Sequence, residues 1–267
     1  MIPNIVIFGK EFTPYVLMAL CGVFVIGTLA CKKSQKYNID DNDTICVLLF
    51  SAIGVILGSH FLYAITNIPL IIEIFQSIEK IDSVKKILHI FVIIFGGSVF
   101  YGGLFGGLLA AKLYTKYKKL NTKQFLWLLT PFIPLFHFFG RIGCFLSGCC
   151  YGVESHFGIT YKHSMIIAAN HVSRFPIQLV EAAFNLLLFF VLTQLQKNEK
   201  TKSKLLEIYL VSYAIIRFID EFFRGDSIRG IWFGLSTSQI ISIGILFVIS
   251  LLRLKKLLYK NTSVACQ

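Results

Sequence analysis

Seven apolar runs, near 14–31, 44–64, 89–111, 125–140, 176–195, 205–219 and 236–253, leave this chain little choice of fold. Each is read as long enough to cross a hydrocarbon core about 30 Å thick. The fourth and sixth end in charged sequence and would be short or tilted. Lipid offers no hydrogen bonds, so runs of this kind become helices that satisfy their own backbone. A hydrophobic fraction of 55% over 267 residues exceeds what a water-soluble core of this size needs. The expected architecture is an all-α polytopic membrane protein of about seven transmembrane helices, a single transmembrane domain over residues 1–267.

The short loops set its orientation. One side collects Lys32, Lys33 and Lys36, the five lysines between 112 and 123, the four between 197 and 204, and Arg253, Lys255, Lys256 and Lys260. That is 16 of the 26 basic residues, fifteen of them lysine, so this side is cytoplasmic. The N-terminus is then outside and the C-terminus inside. The first run ends in lysines without a small-residue cleavage site and is not read as a cleaved signal peptide. The net charge of +12 is mostly loop lysine facing anionic lipid, and no aromatic-basic pattern points to nucleic acid.

Arginine is sorted the other way. Arg141, Arg174, Arg217, Arg224 and Arg229, five of the six, fall near the outer ends of the apolar runs. A planar guanidinium grips phosphate with two parallel bonds, which the point charge of lysine cannot do. A basic cluster at headgroup depth therefore suggests a phospholipid site. Two outer segments, 65–88 and 141–175, are too long for simple turns; the second holds three of the six histidines.

Three stretches carry candidate chemistry. His137-Phe138-Phe139-Gly140-Arg141-Ile142-Gly143-Cys144 runs on to Gly148-Cys149-Cys150-Tyr151-Gly152, where closely spaced glycines would free backbone N–H groups for an anion. Arg174-Phe175-Pro176-Ile177-Gln178-Leu179-Val180-Glu181 opens the fifth run, with Gln178 and Glu181 three apart and able to face inward together. On the sixth, Tyr213, Arg217, Glu221 and Arg224 share one helical face, while Asp220 and Asp226 lie off it and are read as solvated. Polar groups of this kind on membrane helices imply a polar cavity or an internal salt-bridge stripe. In the third run, overlapping GxxxG registers at Gly102/Gly106 and Gly103/Gly107 read first as helix packing. Tyr101 begins that stripe and could face a cavity.

Together these stretches resemble the prolipoprotein diacylglyceryl transferase family, from roughly the second apolar run to the seventh. Gly-Arg-x-Gly at 140–143 is similar to the family's signature. Pro-x-Gln-Leu-x-Glu at 176–181 and Tyr-x3-Arg-x3-Glu at 213–221 support it. The resemblance implies seven spans, a bacterial cytoplasmic membrane location and a site toward the outer leaflet. It also implies transfer of a diacylglyceryl group from phosphatidylglycerol to the lipobox cysteine of a prolipoprotein signal peptide, releasing glycerol phosphate. Membrane lipids and the precursor are the expected partners, with no cofactor and a monomeric state.

By resemblance, Arg141 and Arg217 hold the departing phosphate, and Gly102, Gly103, Gly140, Gly143, Gly148, Gln178, Glu181 and Tyr213 shape the substrate site. The match loosens at Tyr101, where the family commonly has a histidine that is a candidate base. A phenol is a poor base at neutral pH. His137 or Glu221 could supply the base instead.

Two signature-loop positions usually occupied by Asn and Glu read Cys144 and Cys149. The spacing C-x4-C-C-x5-H is not a usual zinc pattern, so no metal is expected; packed free thiols or a disulfide are the plainer outcomes. A non-catalytic relative that binds phospholipid or signal peptide is the alternative reading, favoured by Tyr101. A transporter would need mid-bilayer charges in two related halves, which the chain lacks.

Overall fold

The computed structural model describes residues 4–7, 9–68, 71–72, 83–164, 166–226, 231–232 and 234–265. Its longer helices are α1 (Pro14–Lys36), α2 (Asp41–Thr66), α3 (Val84–Phe95), α4 (Phe100–Tyr117), α5 (Thr122–Leu129), α6 (Phe132–Ser147), α7 (Ile177–Leu195), α8 (Leu205–Asp220) and α9 (Thr237–Ala265). Among the described residues, α1, α2 and α7 are each long and apolar enough to cross a membrane. The pair α5 and α6, bent by 43° at Thr130-Pro131, makes a fourth if it is one span. Half of the expected outer segment 65–88, residues 69–70 and 73–82, and the expected outer arginine Arg229 lie outside the described residues.

The chain divides into two compact units, one of residues 31–125 and one of residues 1–30 with 126–267. In the first, α2 and α4 pack backbone to backbone. A Cβ on Gly102 would stand 2.3 Å from the Gly58 carbonyl oxygen, and one on Gly106 would stand 2.2 Å from that of Gly54. The reverse holds for Gly58 and Gly54, so two GxxxG faces interlock and exclude any side chain. The second register meets side chain instead, with Val55 against Gly103 and Gly107. Asp40 caps α2, its carboxylate accepting from the Asn42 and Asp43 N–H groups.

The third apolar run is not one helix. It breaks between α3 and α4 at Gly96-Gly97-Ser98-Val99. Paired glycines are poor helix formers, and the freed backbone groups find partners on α2: Val99 N–H donates to the Ser59 carbonyl at 3.1 Å, and His60 Nδ1 lies 2.7 Å from the Gly97 oxygen. His60 thus serves this break.

In the other unit, α6, α7 and α8 pack in succession and α9 packs on α8. Between α6 and α7 the chain forms a small antiparallel pair, β1 (Glu154–Thr160) with β2 (Ser173–Arg174). Arg174, expected beside the bilayer as part of the outer cluster, is committed here: its guanidinium lies 4.3 Å from the Tyr151 ring centre and donates to the Ala168 carbonyl at 2.8 Å.

Candidate functional site

Alternating helix direction brings the C-terminal half of α6, the start of α7, the end of α8 and the start of α9 to the same end of this unit. The lysines between α7 and α8 lie at the opposite end. At the first end Arg141 sits on α6 with His137 one turn earlier, and the guanidinium Nε donates to His137 Nε2 at 3.2 Å. Its Nη2 reaches Glu181 Oε1 at 2.9 Å, and His137 Nε2 is 3.4 Å from the same oxygen. Glu181 stands in the second turn of α7, after Pro176 has set the helix start. Its own turn is completed by Asn185, whose Nδ2 donates to the Glu181 carbonyl at 2.8 Å.

From α8, the ring of Tyr213 packs at 5.1 Å from that of His137, and Tyr209 stacks on Tyr213 at 5.9 Å. One turn on, Arg217 Nη2 contacts Glu221 Oε2 at 2.6 Å and donates to Ser238 Oγ of α9 at 3.1 Å. Among the described residues, Arg217 Nη1 is buried without a hydrogen-bond partner. His137, Arg141, Glu181, Tyr213, Arg217 and Glu221 are all buried, none more than 7% exposed. Two guanidiniums thus face two carboxylates away from water. That arrangement is tolerable only because each charge has a partner.

Several expectations about this region change. Residues 140–147 are helical, so Gly140 and Gly143 do not present free backbone N–H groups. Gly143 lets α1 approach, a Cβ there standing 3.0 Å from the Tyr15 Cα, and Gly140 faces open space. Gly148 alone among these glycines takes a left-handed conformation (φ 75°), capping α6. Glu221 begins a 3-10 turn, and Arg224 leaves the shared face to clasp Asp226 with two bonds of 2.9 and 2.6 Å. Asp220 and Asp226, read as solvated, are both buried. The helix-wheel spacing failed there because α8 stops at Asp220.

Gln178 works on the backbone. It donates to the Cys149 carbonyl at 2.8 Å and accepts from the Tyr161 hydroxyl at 3.2 Å. The sulfurs of Cys144, Cys149 and Cys150 lie within 4.8 Å of one another, all as free thiols. Hydrogen bonds from Cys144 and Cys149 hold the Cys150 thiol well below its ordinary pKa; burial opposes this, and the Arg224 and Arg141 charges assist it.

Tyr101, Gly102 and Gly103 belong to the other unit. Tyr101 is 2% exposed at the start of α4, packed on Phe100 and Phe105. Gly102 and Gly103 are taken up by the contact with α2. Ser238 and Asn185 were missed from the sequence. Asn185 carried a signal, one helical turn after Glu181; Ser238, at the head of an ordinary apolar run, carried none.

Buried arginine–carboxylate pairs beside apolar spans suit a membrane protein that handles an anionic group. Residues 3–254 match the profile of the prolipoprotein diacylglyceryl transferase family, and the chain belongs to that family. It is 32% identical to the phosphatidylglycerol–prolipoprotein diacylglyceryl transferase of Clostridium tetani, over 89% of this chain and 90% of the relative. It is 33% identical to a second such transferase of Clostridium perfringens, over 90% and 89%. With the enzyme of Helicobacter pylori strain J99 the identity is 29%, over 90% and 87%.

Proposed function

We propose that this chain transfers the diacylglyceryl group of phosphatidylglycerol to the lipobox cysteine thiol of a prolipoprotein, releasing glycerol phosphate. The observation that carries the reading is Arg217. It is a buried guanidinium with Nη2 held by Glu221 and Ser238 and with Nη1 free of a partner among the described residues, one turn from Tyr213. A donor kept dry and unsatisfied is suited to an oxyanion that arrives with the lipid.

In this reading the thiolate sulfur attacks the glyceryl carbon and the C–O bond to phosphate breaks, its electron pair leaving with the phosphate. Arg141 and Arg217 stabilise that leaving group more as its charge grows, which is what lowers a barrier. Glu181 and Glu221 hold the two guanidiniums in place. His137 and Tyr213 wall the same space, and Gln178 with Gly148 fixes the loop that follows α6. Gly143 lets α1 pack close on α6, and Gly140 leaves open space one turn away. Gly102 and Gly103 seat α4 on α2 and so place Tyr101.

The same reading takes the protein as a monomeric, seven-span domain of the bacterial cytoplasmic membrane. The lysine-rich end and the C-terminus face the cytoplasm, and the arginine end faces the outer leaflet. Lysine sorting supports the orientation.

The test is transfer in vesicles with a cysteine-bearing lipobox peptide, read by mass spectrometry. Phosphatidylglycerol vesicles are expected to give a diacylglyceryl adduct and phosphatidylethanolamine vesicles none. Equal adduct from both, or none from folded protein, contradicts the assignment.

A further inference from the structure

Deprotonating the incoming thiol is the step that the arginine pairs leave unexplained. An unperturbed thiol, with a pKa near 8.5, is mostly protonated at neutral pH. His137 Nε2 already accepts from Arg141, Glu221 is engaged with Arg217, and Tyr101 is a phenol. The same end of the unit carries a second group of sulfurs that the arginine chemistry does not use.

Cys144 lies in the last turn of α6. The helix ends with Gly148 at φ 75°, and the Cys149 N–H returns to the Cys144 carbonyl at 3.1 Å. Cys150 then adopts φ 54°, a left-handed conformation that a non-glycine residue holds only where its surroundings enforce it. Outside contacts fix this fold-back. Ser164 Oγ donates to the Gly148 carbonyl at 2.8 Å, and Gln178 Nε2 holds the Cys149 carbonyl at 2.8 Å. Its result is three sulfurs within 4.8 Å of one another, Cys144 buried and Cys149 and Cys150 partly open.

Tetrahedral zinc with Zn–S bonds of about 2.3 Å needs sulfurs roughly 3.8 Å apart, so side-chain rotation of about 1 Å closes the set. Sequence spacing spoke against a metal because it assumes a regular knuckle, and the left-handed turn at Cys150 supplies a different one. Three protein ligands leave a fourth position open, which is the pattern of reactive rather than structural sites.

We propose that Cys144, Cys149 and Cys150 bind one thiophilic divalent ion, zinc by ligand chemistry, whose open position takes the substrate cysteine thiol. This rests on the transferase reading and supplies its missing step. A metal-bound thiol gives up its proton outright. The proton passes to water as the metal–sulfur bond forms; the sulfur then attacks the glyceryl carbon, and the bond to phosphate breaks with its electrons on oxygen. The resulting thioether is a weaker ligand than a thiolate and leaves the ion.

The test is cadmium titration of the purified, reduced full-length protein in detergent, following sulfur-to-cadmium charge-transfer absorption. A single equivalent is expected to saturate the band. Cys144→Ser and Cys149→Ser are each expected to weaken it, and Cys150→Ala to do the same if serine disturbs the turn. A lipobox peptide with cysteine should raise the band by about a third, as a fourth sulfur joins three, and its serine counterpart should leave it unchanged.

Absence of a saturating band, a band indifferent to all three substitutions, or no response to the cysteine peptide overturns the proposal. Transfer at full rate by protein shown to be metal-free would also overturn it, leaving the transferase assignment intact. A peptide-responsive band without transfer under any condition would sink the transferase reading instead and leave the metal site standing.

Discussion

Arg141 Nη2 lies 2.9 Å from Glu181 Oε1, with the two side chains 8% and 2% exposed. One residue comes from α6 and the other from α7, so the pair ties the two helices together as well as aiming the guanidinium.

Removing one partner leaves a buried charge uncompensated, which typically costs 3–5 kcal/mol. Glu181→Leu is therefore expected to lower the melting temperature in detergent markedly. The double variant Arg141→Met/Glu181→Leu is expected to recover much of that stability and none of the transfer activity. Recovery of activity together with stability would show the pair to be structural only.

Arg217→Lys keeps a charge but loses the fork, and with it the donor that is unpartnered among the described residues. Transfer is expected to fall by about 10²-fold, the scale of losing one preorganised oxyanion donor, with little change in melting temperature. Ser238→Ala removes only the 3.1 Å support of Nη2 and is expected to cost less than about tenfold. Initial rates with phosphatidylglycerol vesicles decide between them.

Gly106→Ala would force a methyl against the Gly54 carbonyl, where a Cβ stands only 2.2 Å away. Overpacking of this kind costs about 1–3 kcal/mol, and here both backbones must separate. A thermal melt should show a clear loss, while Gly27→Ala on α1, where a Cβ meets nothing within 4 Å, should show none.

Tyr101→Phe separates a structural tyrosine from a base. With the phenol buried on Phe100 and Phe105, the variant is expected to keep transfer within about tenfold and to leave its pH profile unmoved. A collapse of activity with a shifted profile would return the proton transfer to Tyr101.

The arginine motif was legible because charge in an apolar run demands a partner, and Glu181 was the carboxylate within reach of the signature in both sequence order and topology. The packing role of Gly102 and Gly106 was legible for a similar reason, since only close backbone approach rewards glycine at that spacing. What α4 packs against was open to the same reading, since Gly54 and Gly58 in the second run form a GxxxG of their own, but a single such pair is a weaker signal than the overlapping registers of the third run. The break at Gly96-Gly97 was hidden by the continuity of hydropathy, which counts apolar residues and ignores helix propensity. Arg224 and Asp226 were misplaced because periodicity was carried past the true end of α8. Nothing in C-x4-C-C spacing announces converging sulfurs, because a left-handed residue at Cys150 cannot be read from composition.

The most direct measurement of the central claim is lipid transfer by Arg141→Ala beside the unaltered protein, in phosphatidylglycerol vesicles with a cysteine-bearing lipobox peptide. The unaltered protein is predicted to add one diacylglyceryl group by mass, and the folded variant to add none within the same time. An adduct formed at equal rate by the variant would contradict an arginine-held leaving group.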